Sequence, residues 1–319
     1  SKRRSNMSTS VRVGTESTAT PGGRRETLLA RAARQTGRMG LLFPAVALMA
    51  VFLVGPIAYS VYGSLTNAAL SGYKAANPEF VGLENYADLL TSGAFWKAVL
   101  LTIIFVVASA VIGQNILGLA LAMLMSKAPK ILSTLVGGVV VIAWVMPEIV
   151  AAFALYAFFS TDGTLNTLLS YIGLGGTTWL LTFPMFSVIM ANIWRGTAFS
   201  MMVYSAALAE VPPEIQEAAK VDGARGWQRF CFVTLPMIKG SISTNLLLTT
   251  LQTLGVFTLL WVMTGGGPGT QSTTLPVMAY QEAFKNSLIG YGTAIATVTI
   301  VLGALFALVY IRALKPEVD

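Results

Sequence analysis

Six apolar runs of about 20 residues or more punctuate the chain, over residues 40–64, 98–125, 131–159, 183–205, 240–263 and 290–311. Runs of this length predict helices that cross a hydrocarbon layer about 30 Å thick. Barrel strands would be half as long and would alternate apolar with polar positions. The chain is therefore expected to be all-α, a polytopic membrane protein of six transmembrane helices. The first run is longer than the apolar part of a signal peptide and lacks a small-residue cleavage site, so it reads as a retained helix. No internal repeat of the kind that marks many secondary transporters stands out.

Polar residues inside the runs carry the next information, because an ionisable group in lipid is costly and marks function. Glu148 follows Pro147 within Trp144-Val145-Met146-Pro147-Glu148, and Arg195 lies in Asn192-Ile193-Trp194-Arg195-Gly196. These two charges suit either a structural ion pair or a solute site, and Arg195 alone could instead reach toward an interface. Asn192, Arg195 and Gly196 share a helix face by i, i+3, i+4 spacing. Asn245, Thr249, Gln252 and Thr253 form a second polar stripe. Such a stripe either lines an aqueous path or joins helices by hydrogen bonds. Trp144 offers a ring on which a sugar could stack, or is an ordinary interfacial tryptophan.

Composition agrees with a lipid environment: 55% of residues are apolar and 11% charged, against about 25% charged in soluble domains. The net charge of +7 is explained by its placement without invoking nucleic acid. Nine Lys/Arg lie in residues 1–38, two in 126–130, four in 206–239 and two in 312–319. The alternate loops hold only Lys74, Lys97 and Lys285. By the positive-inside rule both termini and the 206–239 loop are expected in the cytoplasm. Residues 1–38 read as a disordered cytoplasmic tail, and 39–315 as the transmembrane domain.

With a single cysteine, Cys231, and no histidine, the chain cannot form an internal disulfide or the usual zinc site. It also lacks the base of a Ser-His-Asp or Cys-His catalyst. No G-x-x-x-x-G-K-[ST] loop occurs. No cofactor or metal is expected in this chain and no catalysis by it. If ATP and Mg take part, a partner must bind them.

The long 206–239 loop is the most specific feature. Pro212 and Pro213 suit the first turn of a helix, with Glu214 and Glu217 in its early turns. Asp222-Gly223 predicts a stop with Gly223 at positive φ. A second helix, bearing Trp227, Phe230, Cys231 and Thr234, is expected to end at Leu235-Pro236. Glu217-Ala218-Ala219, three residues, Gly223, nine residues and Val233-Thr234-Leu235-Pro236 resembles the EAA loop of bacterial ABC importer permeases, with Val233 replacing the usual isoleucine. From residue 43 to 315 the chain resembles the MalF-like permeases of carbohydrate importers. Phe80–Tyr86, Asp162–Asn166 and Gly265–Pro268 match landmarks of that family.

The resemblance implies a type I ABC importer transmembrane domain in the bacterial plasma membrane. It implies a second, MalG-like permease, two ATPase subunits that bind ATP and Mg, and an extracytoplasmic sugar-binding protein. It assigns ATPase coupling to Glu217, Ala218, Ala219, Asp222, Gly223, Leu235 and Pro236. It assigns sugar contact to Trp144, Glu148, Asn192, Arg195, Gly196, Thr249 and Thr253, to which the helix face adds Gln252. Glu148, Arg195 and Thr253 depart from the family identities, so an acidic or phosphorylated cargo such as glycerol-3-phosphate stays open beside a neutral sugar. An ion-coupled secondary transporter and an intramembrane enzyme are the competing classes.

Overall fold

The computed structural model describes residues 43–313. The expected tail over 1–38, the first residues of the 40–64 run and the end of the chain lie outside them. The chain divides into two units between Ala58 and Tyr59. The first ends in an apolar helix, α1 (Phe43–Ser64), whose last residues belong to the second unit.

Among the described residues of the second unit the regular structure is helical, with one isolated antiparallel bridge between Thr66 and Phe80. Its longer helices are α2 (Glu84–Thr91), α3 (Gly93–Lys127), α4 (Lys130–Val145), α5 (Glu148–Phe159), α6 (Thr164–Tyr171) and α7 (Pro184–Ala209). They continue with α8 (Pro213–Val221), α9 (Gly226–Met237), α10 (Lys239–Leu254), α11 (Thr258–Met263), α12 (Leu275–Tyr280) and α13 (Ile289–Ala313). α1, α3 and α13 are each long and apolar enough to cross a membrane. α7, at 26 residues, is about 39 Å long.

Two of the expected spans are broken. The run 131–159 is two helices, and the chain turns by 107° between Lys130–Val145 and Glu148–Tyr171. Pro147 has no N–H to give and bars helical geometry at the residue before it; Met146 sits at φ −57°, ψ 133°. The run 240–263 is likewise α10 and α11, separated by Gly255, Val256 and Phe257. Phe257 leaves the helical region at φ −121°, ψ −54°.

The core forms where α3, α5, α7 and α11 meet. Phe105, Ala152, Val188, Ala191, Leu259, Leu260 and Met263 are buried together there. Small residues set how closely α3 and α7 approach. A Cβ added to Gly118 would lie 2.4 Å from the Ser200 Cβ, so only glycine lets the backbones meet.

The three landmark loops are each fastened by one residue. Asn85 Nδ2 donates to the carbonyls of Ser64 and Thr66 at 2.8 and 2.9 Å. Asn166 uses its whole amide: Nδ2 donates to Thr161 and Thr177 carbonyls, and Oδ1 accepts from Thr177 N and Trp179 Nε1. Gly266 takes φ +90°, where an added Cβ would strike Thr273 Oγ1 at 2.6 Å.

Candidate functional site

The polar residues of α3, α7 and α10 meet in the bundle interior. Asn192 on α7 is buried; its Nδ2 donates to Ser109 Oγ at 2.8 Å and Thr253 Oγ1 at 3.3 Å. Its carbonyl accepts from Gln114 Nε2 at 3.0 Å. At the next residue of α3, Asn115 Nδ2 donates to Thr249 Oγ1 at 3.3 Å. Asn115 Oδ1 accepts from Asn245 Nδ2 at 2.8 Å and from the Tyr204 hydroxyl. Asn245 also donates to Ser200 Oγ at 2.9 Å. In a medium without water such groups must satisfy one another, and three helices are tied side by side as a result.

Apart from Glu148, the predicted residues thus fall into two sets. Asn192, Thr249 and Thr253 are buried within this network, together with Asn245. Trp144, Arg195, Gly196 and Gln252 reach the surface of the subunit. Trp144 packs its ring 5.9 Å from that of Phe199, one turn beyond Arg195. Gly196 leaves no room for a side chain, because a Cβ there would lie 2.2 Å from Gln114 Cδ. Arg195 Nε is buried without a hydrogen-bond partner. Glu148 does not pair with it; its carboxylate accepts from the Leu259 N–H at 3.2 Å.

Ser109, Gln114 and Asn115 were not singled out by sequence reasoning. The adjacent amides Gln114-Asn115 in the middle of an apolar run are the signal that marks them.

At the other functional element, α8 and α9 form the expected helical pair. Gly223 lies at φ +80°, as the Asp222-Gly223 stop predicts. Glu217, Ala218, Asp222, Gly223 and Pro236 are exposed, and Ala219 and Leu235 half-buried. Gln216 Nε2 bridges the pair to Thr234 Oγ1 at 3.3 Å. The second helix does not stop at Leu235-Pro236. It runs to Met237, and a 70° bend leads into α10. Ile238 at that bend packs with Ala207 and Val211, so the loop is rooted on the ends of α7 and α10. Val221, Trp227 and Phe232 are 87%, 73% and 79% exposed.

Residues 114–319 match the family described as "Binding-protein-dependent transport system inner membrane component". The chain belongs to that family. The permease is 31% identical over 275 residues to the trehalose/maltose transport system permease protein MalF of Thermococcus litoralis, covering 85% of this chain and 91% of the relative. It is 32% identical over 285 residues to the sulfoquinovosyl glycerol transport system permease protein SmoG of Agrobacterium fabrum, covering 87% and 90%. Its fold matches a chain of a bacterial ABC transporter involved in the import of the acidic polysaccharide alginate, with a TM-score of 0.76 at 23% identity, over 92% of this chain and 100% of that one. The permease is therefore a MalF-like, multi-pass component of the inner membrane with the transmembrane fold of type I ABC importers.

Proposed function

We propose that this permease carries a sugar or oligosaccharide into the cell by alternating access, driven by separate ATPase subunits docked on the 206–239 loop. The observation that carries this reading is the loop itself. Glu217 and the Asp222-Gly223 turn stand exposed on a short helix pair that also bears the exposed side chains of Val221 and Trp227. A carboxylate there can make a charge-assisted contact with a basic residue of the ATPase. The root of the pair on α7 and α10 passes its displacement to the helices that bear the polar network. With this loop in the cytoplasm, both termini lie there too.

The working assembly is this chain, a second MalG-like permease, two ATPases and an extracytoplasmic sugar-binding protein. The names of the relatives support sugar cargo. On this reading Trp144, Arg195 and Gln252 face the cargo, and Gly196 makes room for the Gln114 amide on the packed side of α7. Asn192, Thr249 and Thr253 hold the backbones behind them. Rigid-body motion of the two permeases then exposes the site to either side in turn.

The test is reconstitution with the partner subunits. A tagged chain retains the ATPase, and Glu217→Lys releases it and abolishes uptake. Failure of the wild-type chain to retain any ATPase, or normal uptake by the variant, overturns the reading. Thermal shifts of the cognate binding protein across neutral and anionic sugars identify the cargo. A second reading, an acidic or phosphorylated cargo, is favoured by the lone Arg195, whose Nε has no partner in this subunit. It requires the anionic members of that panel to give the shifts.

A further inference from the structure

Glu148 is the first residue of α5, and Pro147 before it brings no capping side chain. A carboxylate in that position is favoured by the partial positive charge of its own helix end. The same carboxylate reaches the start of a second helix. α11 begins after Phe257, an N-cap residue whose side chain makes no cap. The first N–H groups of any helix lack partners within it, and inside a membrane protein water is not at hand to supply them. Glu148 Oε1 takes the Leu259 N–H of that turn at 3.2 Å. One carboxylate therefore sits at the starts of two half-helices, at the break of each broken span.

Packing beyond the breaks extends the pairing. Ala152 and Phe159 of α5 share a core with Leu259, Leu260 and Met263 of α11. α4, on the near side of the break at Pro147, has no buried residue. The halves after the two breaks are packed on one another, whereas the half before the first break lies against α3 and α7.

We propose that Glu148 is a positioning residue for transport: it caps α11 from α5, so that the two half-helices move as one body when the permease switches. Its ionisable side chain in the membrane then serves as an acceptor for backbone N–H rather than as a ligand for cargo. This inference rests on the reading of the chain as an ATP-driven permease, and its test separates the two.

The complete complex is reconstituted in vesicles, with ATP hydrolysis and uptake measured together on the loaded binding protein. Glu148→Gln keeps an acceptor oxygen and is expected to retain at least about a third of the uptake per ATP. Glu148→Ala and Glu148→Leu lack it and are expected to lose about tenfold or more in uptake per ATP. Hydrolysis should continue, and the KM for the loaded binding protein should stay within about twofold. Phe257→Asn supplies a cap within α11 itself. Combined with Glu148→Ala it is expected to restore uptake, or assembly if the single variant fails to assemble. Equal loss in Glu148→Gln and Glu148→Ala overturns the proposal, since charge and not acceptance would then matter. So does a raised KM or an altered cargo range at unchanged coupling, which would make Glu148 a cargo ligand. If wild-type uptake does not depend on ATP at all, the permease reading fails instead.

Discussion

The amide of Gln114 lies across Gly196 and donates to the carbonyl of Asn192 one turn away. The absence of a side chain at 196 is what gives that amide its place between α3 and α7. Gly196→Ala forces an overlap with Gln114 and is expected to destabilise the subunit by about 1–3 kcal/mol. Thermal unfolding in detergent should show it, and Gln114→Ala in the same chain should return part of the loss. An unchanged melting temperature in Gly196→Ala would contradict this packing.

Asn115 is the hub of the three-helix network. Replacing it with leucine leaves the Tyr204 hydroxyl without its acceptor and the Asn245 amide with only Ser200 Oγ. Hydrogen bonds between membrane helices average about 0.6 kcal/mol each, but a buried group left unpaired costs about 1–3 kcal/mol. Asn115→Leu is expected to lose about 2 kcal/mol or more. A double-mutant cycle with Asn245→Leu should recover some of it, because the second change removes the stranded donor.

Asn166 holds the turn between α6 and α7 with four hydrogen bonds. Asn166→Ala is expected to open the 161–179 segment to protease, measured as faster cleavage there with the rest of the subunit intact. Asn166→Asp keeps the two accepted bonds but loses the donated ones, and an intermediate rate is expected.

The loop offers two separable variants. Gly223→Val places a branched residue at φ +80°, where an L side chain costs about 1–2 kcal/mol, and should weaken ATPase retention by disordering the pair. Trp227→Ala leaves the helices alone and removes an exposed aromatic anchor. It is expected to weaken ATPase binding by about tenfold or more with no change in the subunit's own melting temperature. Tight binding by both variants would sink the docking role.

Much of this was legible in the chain. The apolar runs located the helices, and Asp222-Gly223 located the turn between α8 and α9, because both signals are local. The breaks were half legible. Pro147 and Gly255 stand in the runs as helix-breaking residues, yet the runs are apolar throughout, and apolarity alone does not register a bend. Which polar groups would meet was not legible. The stripe Asn245–Thr253 could have faced an aqueous path or other helices. Its burial depends on the angular setting of α3 and α7, which is fixed by contacts such as Gly118 on Ser200. Glu148 shows the same limit, since its partner is a backbone N–H more than a hundred residues away and leaves no mark on residue type.

The hub at Asn115 also bears on how the subunit is made. α10 carries Ser241, Ser243, Thr244, Asn245, Thr249, Thr250, Gln252 and Thr253, and alone it is a poor candidate for transfer from the insertion channel into lipid. Its partners on α3 and α7 emerge from the ribosome before it. The order of synthesis thus delivers those partners first, donors and acceptors both, and the most polar span enters a bilayer where they already wait.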